Sequence, residues 1–183
     1  MITSAAHNER RSAPLEVRAK GRRLEGYAAL FNTEARIGGR FIEIVRPGAF
    51  RSSLAAGGDL LALVDHDPAR VLARTKSGTL RLAEDTRGLA FDLDLPDTQP
   101  ARDVLALAER GDLGGASFGF TVPLGGDEWS GDRRELRTVD LFEVSIVAAW
   151  PAYDATFVDV RSRAQARPVR LALARRHLQI LGA

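Results

Sequence analysis

The sequence predicts an α+β domain built on a mostly antiparallel, β-barrel-like sheet with a few helices. Short runs of alternating or wholly apolar residues recur between residues 15 and 160, separated by Asp-Pro, Ser-Gly and Arg-Gly turn signals. A single clear amphipathic helix, expected over Pro100–Arg110, stands between two groups of such runs, which a plain sandwich does not call for. The 183 residues, 45% of them hydrophobic, can bury one sizeable core but are short for two.

Taken in order, Leu15–Ala19 and Leu24–Phe31 flank Lys20-Gly21-Arg22-Arg23 and read as a hairpin that opens the domain. Phe41–Val45 reads as the next strand. Pro47-Gly48 introduces a short amphipathic helix over Ala49–Ala56, closed by Gly57-Gly58, because proline suits a first turn and glycine a helix end. Leu60–His66, Val71–Thr75, Thr79–Ala83 and Leu89–Leu95 follow at short intervals as a meander. In the main helix, Thr98 is placed to cap, Val104, Leu105 and Ala108 recur at helical spacing, and Gly111 ends the pattern. Ala116–Val122 and Leu136–Ala148 read as strands on either side of a polar Gly125–Arg134 loop, and Phe157–Val160 completes the sheet. Pro168–Leu181 sets Leu171, Leu173, Leu178 and Leu181 among arginines, the pattern of a basic amphipathic helix outside the main core.

Charge divides the chain the same way. Residues 1–23 carry six basic and two acidic groups, and 161–183 carry six arginines with no acid; taking these +4 and +6 ends from the total of +2 leaves 24–160 at −8. We therefore expect a flexible N-terminal segment (1–14), a folded domain (15–160) and a basic, helical tail (161–183). Basic ends of this kind are read first as solvated termini rather than as a nucleic-acid site. The absence of cysteine excludes disulfides, thiolate metal sites, iron–sulfur clusters and a cysteine nucleophile. A polar start and the lack of a long apolar run weigh against secretion and membrane insertion.

Three polar residues sit where strand patterns would otherwise be apolar. His66 ends the run Leu60-Leu61-Ala62-Leu63-Val64-Asp65-His66; alternation turns the flanking aspartates away from its ring, and an imidazole can take a proton from a hydroxyl. Ser117 lies in Gly114-Gly115-Ala116-Ser117-Phe118-Gly119-Phe120, where it shares a face with Gly115 and Gly119, leaving its hydroxyl uncrowded and backbone N–H groups free to meet an oxyanion. Glu143 is flanked by Phe142, Val144 and Ile146, and a carboxylate buried there needs a positive partner such as an imidazole. Each has an ordinary explanation by itself: a surface histidine before a turn, a serine in a glycine-rich edge strand, a glutamate on a wet face. Together they offer nucleophile, base and orienter, the set that acyl transfer requires whatever the chain order.

These residues resemble those of the prohead protease family of tailed phages, whose fold is similar to that of the herpesvirus assembly proteases. The resemblance spans about Leu24–Val160. It is carried by Gly26-Tyr27-Ala28 with Phe31-Asn32, Arg46-Pro47-Gly48-Ala49-Phe50, Asp65-His66-Asp67, Gly115-Ala116-Ser117-Phe118-Gly119-Phe120 and Leu141-Phe142-Glu143-Val144-Ser145. It implies His66 as the base and Ser117 as the nucleophile. The herpesvirus enzymes use a second histidine as third member, but His7 and His177 both fall in the tails, so Glu143 is the preferred replacement, with Asp140 and Asp94 as reserves. The paired arginines assisting the oxyanion in those enzymes find no clear match; Arg133-Arg134, in an expected loop, is a candidate.

The resemblance further implies a serine endopeptidase that works without a cofactor or metal. It would be enclosed in the immature capsid in the host cytoplasm, cutting scaffold or the scaffold-like N-terminal segment of the major capsid protein, and itself. A homodimer is implied on the same ground alone. The competing readings are a non-enzymatic, protease-like assembly module that binds scaffold or capsid protein, and a nucleic-acid-binding barrel. The last is disfavoured because aromatic residues make up 7% of the chain and no basic residues interleave with exposed aromatics on the expected strands.

Overall fold

A computed structural model describes residues 8–13 and 17–148. Its first elements are β1 (Glu9–Ala13), β2 (Val17–Lys20), β3 (Arg23–Leu30), β4 (Glu34–Ile37) and β5 (Phe41–Val45). After α1 (Arg51–Ala55) come β6 (Leu61–Val64), β7 (Asp67–Arg74), β8 (Leu80–Glu84) and β9 (Gly88–Asp94). Then α2 (Gln99–Arg110) leads into β10 (Gly115–Thr121), β11 (Asp127–Ser130), β12 (Arg133–Leu136) and β13 (Asp140–Val147). The expected Phe157–Val160 strand, the Pro168–Leu181 helix and the boundary at 160 lie outside the described residues.

The strands form a mostly antiparallel α+β architecture, but the barrel expectation is corrected. Three open sheets are present among the described residues, ordered β1-β10-β13-β6-β7, β11-β12-β5-β4 and β2-β3-β9-β8. A barrel requires the first and last strands of one ladder to bond to each other. Here β13 pairs parallel with β6, and β12 parallel with β5. Strands distant in sequence are thereby drawn into separate sheets, each keeping its edges. Hydrophobic alternation reports that a strand exists, not which strand it pairs with, so this partition is invisible to periodicity.

Other differences have local causes. Residues 9–13, expected within a flexible 1–14 segment, form β1, although Glu-Arg-Arg-Ser-Ala has no apolar alternation to announce a strand. Glu34–Ile37 becomes β4, and the expected Gly125–Arg134 loop contains β11 and the start of β12. The expected Leu136–Ala148 strand breaks at residues 137–139 and resumes as β13. Thr98 does occupy the N-cap of α2 with extended backbone, but its side chain makes no capping bond; Gly111 ends the helix at φ +75°, the left-handed conformation that glycine adopts without steric cost.

The core beneath the five-stranded sheet includes a group of aromatic rings set among aliphatic side chains. Phe118 and Phe120 project from one face of β10 and stack at 5.0 Å between centroids. Phe50, at the start of α1 and fully buried, meets Phe118 edge-to-face at 5.4 Å and stacks on Phe31 at 6.2 Å. Ala101 and Val104 of α2 are also buried in this core. Alternation then places Ser117 on the opposite face of β10, and the packing of Phe118 and Phe120 sets the height of that strand. We expect Phe50→Ala to lower unfolding stability by about 3–5 kcal/mol, read as a shift of the urea midpoint at unchanged slope, because it empties a buried aromatic site.

Candidate active site

Three adjacent strands bring the polar residues onto one face. β10 and β13 run antiparallel with Ser117 opposite Ser145 and Gly119 opposite Glu143, while β6 runs parallel to β13 with Leu61 beside Glu143. Cross-strand partners share a face, so Ser117, Ser145 and Glu143 project the same way. Gly119 is required there by close approach: a Cβ on it would lie 2.6 Å from both Glu143 Cγ and the Phe142 ring. A β-bulge between Gly119 and Phe120 marks the same point.

His66 reaches this face from a turn, not from a strand, which corrects the expected Leu60–His66 run. β6 ends at Val64, and Asp65 and His66 form the two-residue link to β7 with φ of +51° and +62°. Two successive positive φ values suit the primed hairpin turn, whose usual residues are Asn-Gly or Asp-Gly. Left-handed backbone costs a non-glycine residue about 1–3 kcal/mol and persists where surroundings enforce it. Asp65 supplies that enforcement. Its N–H donates to the Ile146 carbonyl at 3.0 Å, its Oδ1 accepts the Ala148 N–H at 2.9 Å, and its Oδ2 pairs with Arg70 at 3.3 Å.

With the turn pinned to the end of β13, His66 Nδ1 lies 2.6 Å from Glu143 Oε1. An ionised carboxylate only accepts, so Nδ1 carries the hydrogen of that bond and Nε2 of a neutral ring is left as an acceptor. Glu143 is 4% exposed and also accepts from Arg10 Nε of β1 at 3.0 Å. Burial pushes its carboxyl upward, but the hydrogen bonds and charges of His66 and Arg10 outweigh this and hold it below its ordinary value of 4.5.

Ser117 is fully buried, against the expectation of an uncrowded hydroxyl. Its Oγ donates to the main-chain carbonyl of Arg11 at 2.7 Å, and the strand that covers it is β1, with Ser12 opposite Ser117. The Ser145 hydroxyl, also fully buried and directly across from Ser117, has no hydrogen-bond partner among the described residues.

The reserve residues go elsewhere. Asp94 is tied to Arg81 at 2.7 Å in the β2-β3-β9-β8 sheet, and Asp140 is exposed at the start of β13. Arg133 bonds Glu34, and Arg134 is engaged by Glu9, Glu43 and Asp127, so both arginines of that dipeptide are committed on β12 rather than beside Ser117. His7 and His177 lie outside the described residues. Among the described residues no three His, Cys, Asp or Glu side chains gather as a metal-binding group. Arg10, Arg11 and Glu43 were missed by sequence reasoning; the one available signal was a carboxylate at Glu43 inside the apolar run Phe41-Ile42-Glu43-Ile44-Val45.

A family model described as caudovirus prohead serine protease matches residues 11–168. No curated protein and no solved structure matches the chain.

The depressed Glu143 carboxyl sets an acid limit on this arrangement. Its contribution to stability is present above the unfolded-state value and is lost as pH falls through the lower folded-state value. We expect the urea midpoint of the wild-type chain to drop on acidification below about pH 4.5, and that of Glu143→Gln to drop less over the same interval, since the variant has no proton to gain at this position.

Proposed function

The chain belongs to the caudovirus prohead serine protease family, and from that premise we propose that Ser117 is its nucleophile, His66 the general base and Glu143 the residue that orients the base. The observation that carries this reading is the 2.6 Å contact between His66 Nδ1 and Glu143 Oε1, on the face that Ser117 shares. It supplies a reason for the two left-handed residues of the turn, because the strained link delivers the ring to the carboxylate.

The reaction runs as acyl transfer. Ser117 Oγ bonds to the scissile carbonyl carbon while its proton passes to His66 Nε2, with Glu143 stabilising the imidazolium through Nδ1–H. Collapse of the tetrahedral intermediate breaks the C–N bond, and the imidazolium gives its proton to the departing amine. Water then attacks the ester carbon, yields a proton to His66, and the C–O bond to Ser117 breaks as the hydroxyl regains its hydrogen. In the arrangement described above the Ser117 proton is donated to the Arg11 carbonyl instead. Catalysis therefore requires the hydroxyl to turn toward His66.

The proposed substrates are scaffold or the scaffold-like N-terminal segment of the major capsid protein, and the protease itself, cut inside the immature capsid. The proposed protease domain covers residues 15–160, with β1 added from the segment before it, and the herpesvirus-protease-like fold remains part of the proposal. Co-expression with the cognate capsid protein tests the roles. Ser117→Ala and His66→Ala should abolish processing of the capsid protein, and Glu143→Gln should slow it roughly 10²–10⁴-fold while the domain stays folded by circular dichroism. Processed capsid protein accumulating with Ser117→Ala would overturn the assignment.

A further inference from the structure

β1 lies along the outer edge of β10, the strand of the proposed nucleophile, in the antiparallel pairing that an extended peptide adopts when it adds to a sheet edge. Its Arg11 carbonyl is the one that Ser117 Oγ touches, at 2.7 Å. Alternation sends its side chains to two sites. Arg10 goes to Glu143 on the Ser117 face. Glu9 and Arg11 go to the other face, into a cluster of charges from the β11-β12-β5-β4 sheet.

That cluster is built around Glu43 of β5, 3% exposed. Arg11 meets it with two parallel bonds, Nε to Oε1 at 2.5 Å and Nη2 to Oε2 at 2.9 Å, and its guanidinium carbon lies 5.3 Å from the Phe120 ring centroid. A planar fork on a buried carboxylate, flanked by an aromatic face, is a site that discriminates arginine from other side chains. Glu9 is held by Arg134 Nη1 at 2.7 Å and Nη2 at 2.9 Å.

The anchoring charges on the domain side keep partners without β1. Glu43 and Arg134 bond each other at 3.0 Å, Arg134 keeps Asp127 at 2.7 Å, and Glu143 keeps His66 at 2.6 Å. Withdrawal of β1 thus strands no buried charge, the usual penalty for breaking such pairs. Glu9, Arg10 and Arg11 bring no apolar side chain, so these three residues are held by the ladder and their ion pairs.

We propose that β1 is a built-in stand-in for the substrate, which covers Ser117 until it is displaced, and that the edge it occupies takes extended peptides of acidic-basic-basic sequence, with Glu43 selecting arginine at the residue whose carbonyl faces Ser117. This rests on Ser117 being the nucleophile. The pose is a resting one: the serine proton is engaged by the carbonyl oxygen rather than by His66.

The test follows labelling of Ser117 by a small fluorophosphonate, read by intact mass, in the full chain and in a Glu9→Ala/Arg11→Ala variant that leaves Arg10, Glu143 and His66 untouched. The variant should label roughly tenfold faster or more, because two charge-assisted anchors of the strand are gone. A synthetic peptide of residues 8–14 added to the variant should slow labelling again, and the same peptide with citrulline in place of Arg11 should fail to protect. Glu43→Gln in the variant background should erase that difference between peptides; because this change removes a buried charge and could unfold the chain, the citrulline comparison stands independently of it. Equal labelling rates in the full chain and the variant, or equal protection by both peptides, would overturn the proposal while leaving the nucleophile in place. If Ser117 is not labelled in either protein, the nucleophile assignment falls and this inference with it.

Discussion

A carboxylate inside a sheet has to be met by positive charge or by donors, and Glu143 is where that requirement shapes most of this structure. It sits on β13, between β10 and β6, at 4% exposure. Space for it comes from Gly119, the residue opposite, where any side chain would collide. Its partners come from two segments remote in sequence: His66 from the β6–β7 turn and Arg10 from β1. The turn would be an unfavourable place for Asp65 and His66 if it had no anchor, and Asp65 ties it to the end of the same strand that carries Glu143. The carboxylate and the strained turn are thus mutually dependent.

The same physics operates on the other face of β10. Glu43, Arg134, Glu9, Arg11 and Asp127 form a chain of alternating charge between the five-stranded sheet and the sheet containing β5 and β12. Burial works against the charge on Arg134, but its carboxylate partners outweigh it and keep the guanidinium protonated. A core made only of Phe118, Phe120 and their neighbours would leave the β10 edge free to recruit any strand. The charge chain makes that edge selective, because a strand without matching charges would forgo the bonds that Arg11 makes to Glu43 and Arg10 to Glu143.

Aromatic packing and charge pairing therefore divide the work on a single strand. Phe118 and Phe120 fix β10 to the core through Phe50, and the residues that alternate with them, Ser117 and Gly119, stay small, so that the opposite face can hold chemistry. β1 differs in kind from the other members of its sheet: its described side chains are all charged, and its position comes from pairing rather than from hydrophobic burial.

Period-2 alternation in Ala116–Val122 was enough to separate Ser117 from Phe118 and Phe120, and a carboxylate among Phe142, Val144 and Ile146 was enough to single out Glu143, because local spacing dictates which face a strand residue takes. Glycine at 111 likewise announced the end of α2 from local sterics. What the chain could not reveal by itself was everything that depends on which strand lies beside which. The three-sheet partition, β1 laid over Ser117, His66 delivered from a left-handed turn, and Arg134 committed to Glu9 and Glu43 instead of the serine all arise from pairings between segments up to 133 residues apart, as between Arg10 and Glu143. Alternation and charge are properties of neighbours along the chain, whereas partner choice is decided by which arrangement buries the aromatic faces and leaves no buried charge alone, a condition that only the assembled tertiary structure can satisfy.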